Sequence, residues 1–469
     1  MKNQIAVNRI KLVLVTAVLF FVSFILQLNL IIPVFLLSLL AYIKYRDADL
    51  RNYSLLNLSF LFIIFVVTSY FIVSHGWSKF YIPFCFIPML TTVLFNNLEL
   101  SLVVTIATSV FIASIAGNHL HLGVLFFSSG LFSSILVLNA RRRITIIRAG
   151  FIAGVLQAAL LFFVDRFWLG PSKAYLSSYL IVMVNGLLSS IIVIGVLPVF
   201  EYLFRTVTNI SLLELADFNH PLLQRMILEA PGTYHHSLVV GNMSESACTA
   251  VGANSLLARI GAYYHDIGKL HKPDYFSENQ SLSESRHDNL SPTMSKLVIM
   301  NHVKEGIELA KKNRLNPRLI DFIIQHHGNS LVYYFYRRAL ENLEDDQEIK
   351  EEGFRYPGPK PNTKETAIVL LADSVEAATR ALKDPLPVKI EEVVHKVINN
   401  KFIDGQLDEC DLTLKDLEKI SKIFIRILNG IYHSRITYPE NTLSRSENNH
   451  KRFPKEDSRQ SEKDKKDNS

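Results

Sequence analysis

Hydrophobic and polar positions divide this chain into two halves. Residues 12–43 carry no charge, and that run exceeds the roughly 20 residues needed for one bilayer crossing. Gln27, Asn29 and Pro33 interrupt it, so it reads as two short spans, about 10–27 and 29–43, joined by a tight turn. Further apolar runs at about 53–74, 80–95, 99–116, 120–138, 148–166 and 176–200 bring the expectation to eight spans. The run 80–95 contains two prolines and fits a span least well. From about Glu201 the period changes to that of amphipathic helices with recognisable ends. Asn316-Pro317, then Leu319, Ile320, Ile323, Ile324 and Gly328, reads as N-cap, first-turn proline, apolar face and terminal glycine. Asn362 with Glu365 opens another helix through Ile368, Leu371 and Val375. Convincing alternating strands are absent, which predicts an all-α protein: a polytopic helical membrane domain over 1–200, then an all-α domain over 201–439. Beyond about Pro439 the sequence has little to bury, so 440–469 reads as a disordered polar tail.

Charge orients the array. Lys2, Arg9 and Lys11 precede the first run, Lys44, Arg46 and Arg51 follow the second, and Arg141, Arg142, Arg143 and Arg148 form a third group. With eight spans all three groups fall on one side. The excess of basic residues in cytoplasmic loops then predicts a multi-pass protein of the bacterial inner membrane with both termini and the second domain cytoplasmic. A cleaved signal sequence is disfavoured, since no small-residue cleavage site follows the first run. Asp165 and Arg166 sit near a span end, and no ladder of intramembrane charge suggests a pump or transporter. The net charge of +6 matches basic residues retained beside membrane spans, and without a basic-aromatic stripe it does not indicate a nucleic-acid polymer as partner. Mean hydropathy of +0.21 is the blend of the two halves. Cys85, Cys248 and Cys410 form no CxxC pattern and fit a reduced compartment.

Candidate chemistry concentrates in the second half, where eight of the fifteen histidines fall between His235 and His327. They group as His235-His236, His265-Asp266, His302 and His326-His327, followed by Asp373, each on or at the end of a predicted helix. Isolated histidines are ordinary core or surface residues, the reading kept for His271, His287, His395 and His433. Asp373 differs, because it directly follows Ile368-Val369-Leu370-Leu371-Ala372. A buried, unpaired carboxylate costs several kcal/mol, so such a residue is normally paired or metal-bound. Imidazoles and carboxylates converging from several helices predict a metal site.

These positions match the minimal His…His-Asp…Asp pattern of the HD phosphohydrolase superfamily at His236, His265-Asp266 and Asp373. His302, His326 and His327 resemble the additional ligands of its two-metal branch. Three longer stretches narrow the match: Ala230-Pro231-Gly232-Thr233-Tyr234-His235-His236-Ser237, Gly261-Ala262-Tyr263-Tyr264-His265-Asp266-Ile267-Gly268-Lys269 and Phe354-Arg355-Tyr356-Pro357-Gly358-Pro359-Lys360-Pro361. They resemble the seven-transmembrane HD family, whose characterised members are bacterial cyclic-di-AMP phosphodiesterases, and the likeness runs from about residue 29 to 435. The family usually carries a large extracytoplasmic domain after its first span. Only the turn around Gln27 and Asn29 stands there in this chain, which removes the expectation of an external sensor.

The resemblance implies hydrolysis of cyclic-di-AMP to linear pApA by a hydroxide activated between two divalent ions, iron or manganese being the expected metals. One ion would take His236, His265, Asp266 and Asp373, and the other His302, His326 and His327, with Asp266 bridging. Asp266 and Lys269 are the expected catalytic residues. Lys360 and Arg380 are candidate substrate contacts, with a solvated-surface role weighed equally, and His235 is expected just behind the ligands. The alternatives are an HD-type hydrolase of cyclic-di-GMP, (p)ppGpp or dNTP, and a non-catalytic nucleotide-binding membrane receptor. The first lacks the Gly-Tyr-Pro that marks the cyclic-di-GMP branch, since Gly328-Asn329-Ser330 follows the paired histidines. The second expects an eroded ligand set, whereas all seven positions are filled. Expected partners are thus a cyclic dinucleotide and the lipid bilayer, with a homo-oligomer left open.

Overall fold

A computed structural model describes residues 55–432, apart from 118, 169–175, 205, 281–285 and 343–348. The expected spans 10–27 and 29–43, the polar tail 440–469 and His433 lie outside the described residues. The protein is all-α: among the described residues the one extended pairing is an isolated antiparallel bridge between Leu331 and Arg355.

The first half comprises α1 (Leu55–Ser74), α2 (Phe86–Phe95), α3 (Leu98–Ile115), α4 (Leu120–Val137), α5 (Arg143–Phe163) and α6 (Leu176–Phe204). Four of them, α3, α4, α5 with its terminal turn and α6, are long and apolar enough to cross a membrane. Their faces are inverted relative to a water-soluble bundle. Val110, Phe132, Ile135, Phe151, Phe162, Leu188 and Ile191 point outward, while Ser101, Thr105, Ser129, Ser133, Ser134 and Ser189 are buried. Lipid tails leave no hydrophobic drive between such helices, so close packing and hydroxyl hydrogen bonds hold them together. Ser101 Oγ lies 2.7 Å from both Thr92 Oγ1 and Ser134 Oγ. Between α5 and α6 a Cβ on Gly154 would strike the Met183 carbonyl, and one on Gly186 the Gly150 carbonyl, so the backbones approach as only glycine permits.

The expected span 80–95 is corrected here. It is a 3₁₀ turn (Lys79–Tyr81) followed by the ten-residue α2, wholly buried and, at about 1.5 Å per residue, too short to cross a bilayer. Pro83 keeps the preceding segment out of the helix, and Pro88 is tolerated because it sits in the first turn.

The second half contains α7 (Asn209–Leu215), α8 (Pro221–Glu229), α9 (Pro231–Val251), α10 (Ser255–Tyr264), α11 (Pro292–Lys312), α12 (Pro317–Gln325), α13 (Tyr333–Glu341), α14 (Lys364–Arg380), α15 (Pro387–Ile403) and α16 (Leu414–Tyr432). Helix α9 is central and packs on α10, α14 and α16. Its residues Val240, Met243 and Ala247 join Leu370, Leu371 and Val375 of α14 and Ile420 and Phe424 of α16 in one core. A second cluster gathers Leu222, Met226, Ile260, Tyr264 and Ile323 around α8, α10 and α12.

Two helix starts test the sequence reading. Asn316 caps α12 as expected, its side chain accepting from the Arg318 amide, and Gly328 has positive φ beyond the helix. Helix α14 is capped by Thr363 rather than Asn362, in a reciprocal box with Thr366. Glu365 instead accepts from the Asn254 amide at the start of α10, 2.7 Å away.

The halves meet where α6 runs past residue 200 to Phe204. Its buried Glu201 accepts from the Thr208 amide and from Ser211 Oγ, both at 2.8 Å, at the start of α7. Nearby Arg143 forms a forked pair with Glu214 of α7, and Asn316 Nδ2 donates to the Thr206 carbonyl.

Candidate metal centre

Five helices and one short 3₁₀ turn deliver the seven expected ligands. His236 comes from the second turn of α9, and Asp373 from the middle of α14. His265 ends α10, and Asp266 opens the short 3₁₀ turn Ile267–His271. His302 stands on α11, while His326 ends α12 with His327 following it. All are buried except His327, which is partly exposed. Gly268 makes the arrangement sterically feasible: a Cβ there would collide with the His302 carbonyl, so the turn bearing Asp266 lies directly against α11.

Backbone and side-chain partners orient the imidazoles. His265 Nδ1 donates to the Ala262 carbonyl at 2.6 Å, His302 Nδ1 to Ile299 at 2.5 Å, and His326 Nδ1 to Ile323 at 2.9 Å. His236 Nδ1 instead meets Glu376 Oε2 at 2.6 Å. A ring that donates through Nδ1 turns Nε2 inward, and there the neutral form carries a lone pair, so four Nε2 atoms face the centre. His302 Nε2 and His326 Nε2 stand 3.2 Å apart, two acceptors facing each other. His236 Nε2, His265 Nε2 and Asp266 Oδ1 are buried without a hydrogen-bond partner. Buried polar atoms are seldom left so, and the mutual repulsion of these acceptors is relieved by cations among them. The donor set therefore fits divalent metal.

The ligand atoms fall into two groups, His236-His265-Asp266-Asp373 and Asp266-His302-His326-His327, each within 4.8 Å internally. Asp266 belongs to both. Its Oδ1 lies 3.4 Å from His302 Nε2 and 3.5 Å from His326 Nε2, whereas Oδ2 lies 3.1 Å from His265 Nε2 and 2.7 Å from Lys269 Nζ. Asp373 faces His236 at 3.1 Å through Oδ1 and His327 at 3.6 Å through Oδ2.

Electrostatics follow from burial and proximity. Burial raises the Asp266 carboxyl, but His265 and Lys269 outweigh it and hold the group well below the usual range. Asp373 is likewise held down, burial being overcome by His236 and His265. Burial lowers His302 to about 4 and carries His327 well below its ordinary value, so both are neutral imidazoles, the form that binds metal. Around His265 burial is opposed by Asp266, which lifts the ring to about 10.

Lys269 lies beside the shared carboxylate, 2.7 Å from both Asp266 Oδ2 and Glu278 Oε1. Burial opposes its charge, yet the two carboxylates prevail and keep it an ammonium ion. Glu278, in turn, is brought down to about 2 by Lys269 against its own burial. Lys360 and Arg380 are not drawn into the ligand groups: Lys360 Nζ lies 3.3 Å from Asp408 and Arg380 3.5 Å from Glu376. His235 is exposed, a correction to its expected place behind the ligands; about 100° of helical rotation separates it from His236. His287 donates through Nε2 to the Tyr275 carbonyl, in keeping with a structural role.

The sequence reading missed Glu376, Glu278 and Tyr356, whose ring stacks on His327 with centroids 4.3 Å apart. Only Glu376 had a readable signal, since it lies three residues after Asp373 and so on the same helical face.

Comparison with known proteins places this geometry. Residues 6–208 match a family described as "7TM receptor with intracellular HD hydrolase", and residues 233–378 match the HD domain. A Bacillus subtilis protein named cyclic-di-AMP phosphodiesterase PgpH is 50% identical over 260 residues, 55% of this chain and 36% of the relative. The Listeria monocytogenes protein of that name is 39% identical over 388 residues, 81% of this chain and 53% of the relative. The chain thus spans about half or less of the length of these relatives. The solved HD domain of L. monocytogenes PgpH in complex with cyclic-di-AMP is 47% identical, is covered completely, and spans 47% of this chain with a TM-score of 0.44. Apolar helices and one family match make up the first half, HD motif and metal-ligand geometry the second, and the chain belongs to the seven-transmembrane HD family.

Proposed function

We propose that this protein is a membrane-anchored, metal-dependent phosphodiesterase that hydrolyses cyclic-di-AMP to linear pApA. The double set of inward-facing imidazole and carboxylate atoms sharing Asp266 carries the reading. His236, His265, Asp266 and Asp373 would hold one divalent ion, and Asp266, His302, His326 and His327 the other. A histidine-rich set with two carboxylates suits iron or manganese. Bound ions supply a nucleophile from water at neutral pH and stabilise charge developing on phosphoryl oxygens. Asp266 divides its two oxygens between the groups, and Lys269 keeps a positive charge beside Oδ2. A substrate role for Lys360 or Arg380 requires their pairs with Asp408 and Glu376 to open.

The substrate is inferred from relatives named cyclic-di-AMP phosphodiesterase, one of them half identical over a stretch about as long as the second half of this chain. We assign the membrane domain to 1–200, with α6 running on into the junction, the HD domain to 201–439 and the polar tail to 440–469. Proximity of basic Arg143 to Glu214 supports a cytoplasmic HD domain, since positive loops stay inside.

The full chain in detergent, loaded with manganese or iron, is to be offered cyclic-di-AMP beside cyclic-di-GMP. Release of pApA is expected, and no cleavage of either with metal demonstrably bound rejects the reading. An Asp266→Ala variant is expected to lose turnover; full activity in it refutes the shared role of that carboxylate.

A further inference from the structure

Lys401 stands near the end of α15 and donates from Nζ to Ser330 Oγ at 2.7 Å. Ser330 belongs to the turn just after His326-His327: its amide donates to the His327 carbonyl, and its own carbonyl accepts from the Tyr356 amide, both at 3.0 Å. Tyr356 stacks on His327. The Lys401 ammonium is therefore fastened to the same turn as His327. That is the open side of the centre, for the His327 and Asp373 side chains are 22% and 10% exposed whereas those of His265 and Asp266 are at most 1% exposed.

The partners of the surrounding cations set Lys401 apart. Lys269 is paired with Asp266 and Glu278, Arg355 with Glu351 and Asp404, Lys360 with Asp408, and Arg380 with Glu376. Lys401 is half-buried and, among the described residues, has the Ser330 hydroxyl as its side-chain partner rather than a carboxylate. Asp404, three positions on, is engaged by Arg355 at 2.9 Å and Gln406 at 2.7 Å. Asp373 acts on Lys401 through its field but is directed at His236 and His327. An ammonium drawn partly out of water and held by a hydroxyl gains from an anion that joins it, and burial does push this group below its ordinary value.

We propose that Lys401, held in place by Ser330, binds a phosphate oxygen of the substrate at the open rim of the metal centre. The inference rests on the phosphodiesterase reading above and adds a substrate contact to it. It concerns a residue distant in sequence from every HD motif.

The test uses the full chain loaded with manganese and the variants Lys401→Met, Lys401→Gln and Lys401→Arg. KM and kcat are measured for cyclic-di-AMP and for bis(p-nitrophenyl) phosphate, a diester with one phosphate, alongside metal content and melting temperature. Loss of a charged hydrogen bond predicts a rise in KM for cyclic-di-AMP of about tenfold or more in the neutral variants, with metal content unchanged and Lys401→Arg recovering most of it. A parallel rise with the one-phosphate diester assigns Lys401 to the phosphate being cleaved; a rise confined to the dinucleotide assigns it to the second phosphate. Calorimetry with inorganic phosphate reads the same contact without turnover. Wild-type KM on both substrates in either folded neutral variant overturns the proposal. Failure of wild-type protein to cleave the dinucleotide overturns the phosphodiesterase reading instead.

Discussion

At the scale of single residues, the site is organised by what lies behind its ligands. Three histidines take their orientation from carbonyls of their own helices. His236 takes it from Glu376, a buried carboxylate that Arg380 approaches at 3.5 Å. Partners of this kind fix tautomer and ring direction and strengthen the imidazole as a donor. Glu376→Ala is therefore expected to weaken metal affinity about 10- to 100-fold, read by titration of the metal-free protein, whereas Glu376→Gln retains an acceptor and loses less. Unchanged affinity in the alanine variant removes the orienting role. The seven candidate ligands were legible because histidines clustered and because Asp373 followed an apolar run. Glu376 was overlooked because it stands among Ser374, Val375 and Ala377, where a glutamate reads as ordinary helix surface. Lys401 had no signal at all: its partner Ser330 is 71 positions away.

At the scale of elements, periodicity located helices better than it located their caps. Asn362 and Glu365 have capping-box spacing, but Thr363 and Thr366 have it too, one residue later. Thr363 Oγ1 accepts from the Thr366 amide at 3.2 Å, and the exposed Asn362 donates its backbone amide to Gln325. Thr363→Ala is expected to destabilise the protein by about 1 kcal/mol. Asn362→Ala, which spares that backbone contact, is expected to stay within about 0.5 kcal/mol of wild type. Thermal unfolding of the two variants in detergent checks the assignment, and a larger loss in Asn362→Ala reverses it. Between these overlapping boxes the decision came from a neighbour: the Asn254 amide at the start of α10 draws Glu365 away from its own helix.

At the scale of the whole molecule, two kinds of contact join the halves, and their magnitudes differ. The Arg143-Glu214 pair is about half exposed on each side, and such pairs contribute about 0–1 kcal/mol. Glu201 is buried, and its removal leaves the Thr208 amide and Ser211 hydroxyl unsatisfied, a loss of about 1–3 kcal/mol. Glu201→Ala should lower the unfolding temperature clearly and Arg143→Ala little. An equal or reversed order shows that the exposed pair carries the junction.

The sequence by itself determined that there is an apolar helical half, an all-α half and a crowded set of histidines and aspartates, because hydrophobic period, helix caps and charge placement are local properties that the chain writes in order. Tertiary structure alone decided that α2 is a buried half-length helix, that Thr363 takes the cap, and that Asp266 turns Oδ1 to His302 and His326 and Oδ2 to His265 and Lys269. It also decided that Lys269 rests between two carboxylates while Lys401 meets only a hydroxyl. Each of these depends on which atoms distant segments bring within hydrogen-bonding or Coulombic reach, and spacing along one chain does not encode that distance.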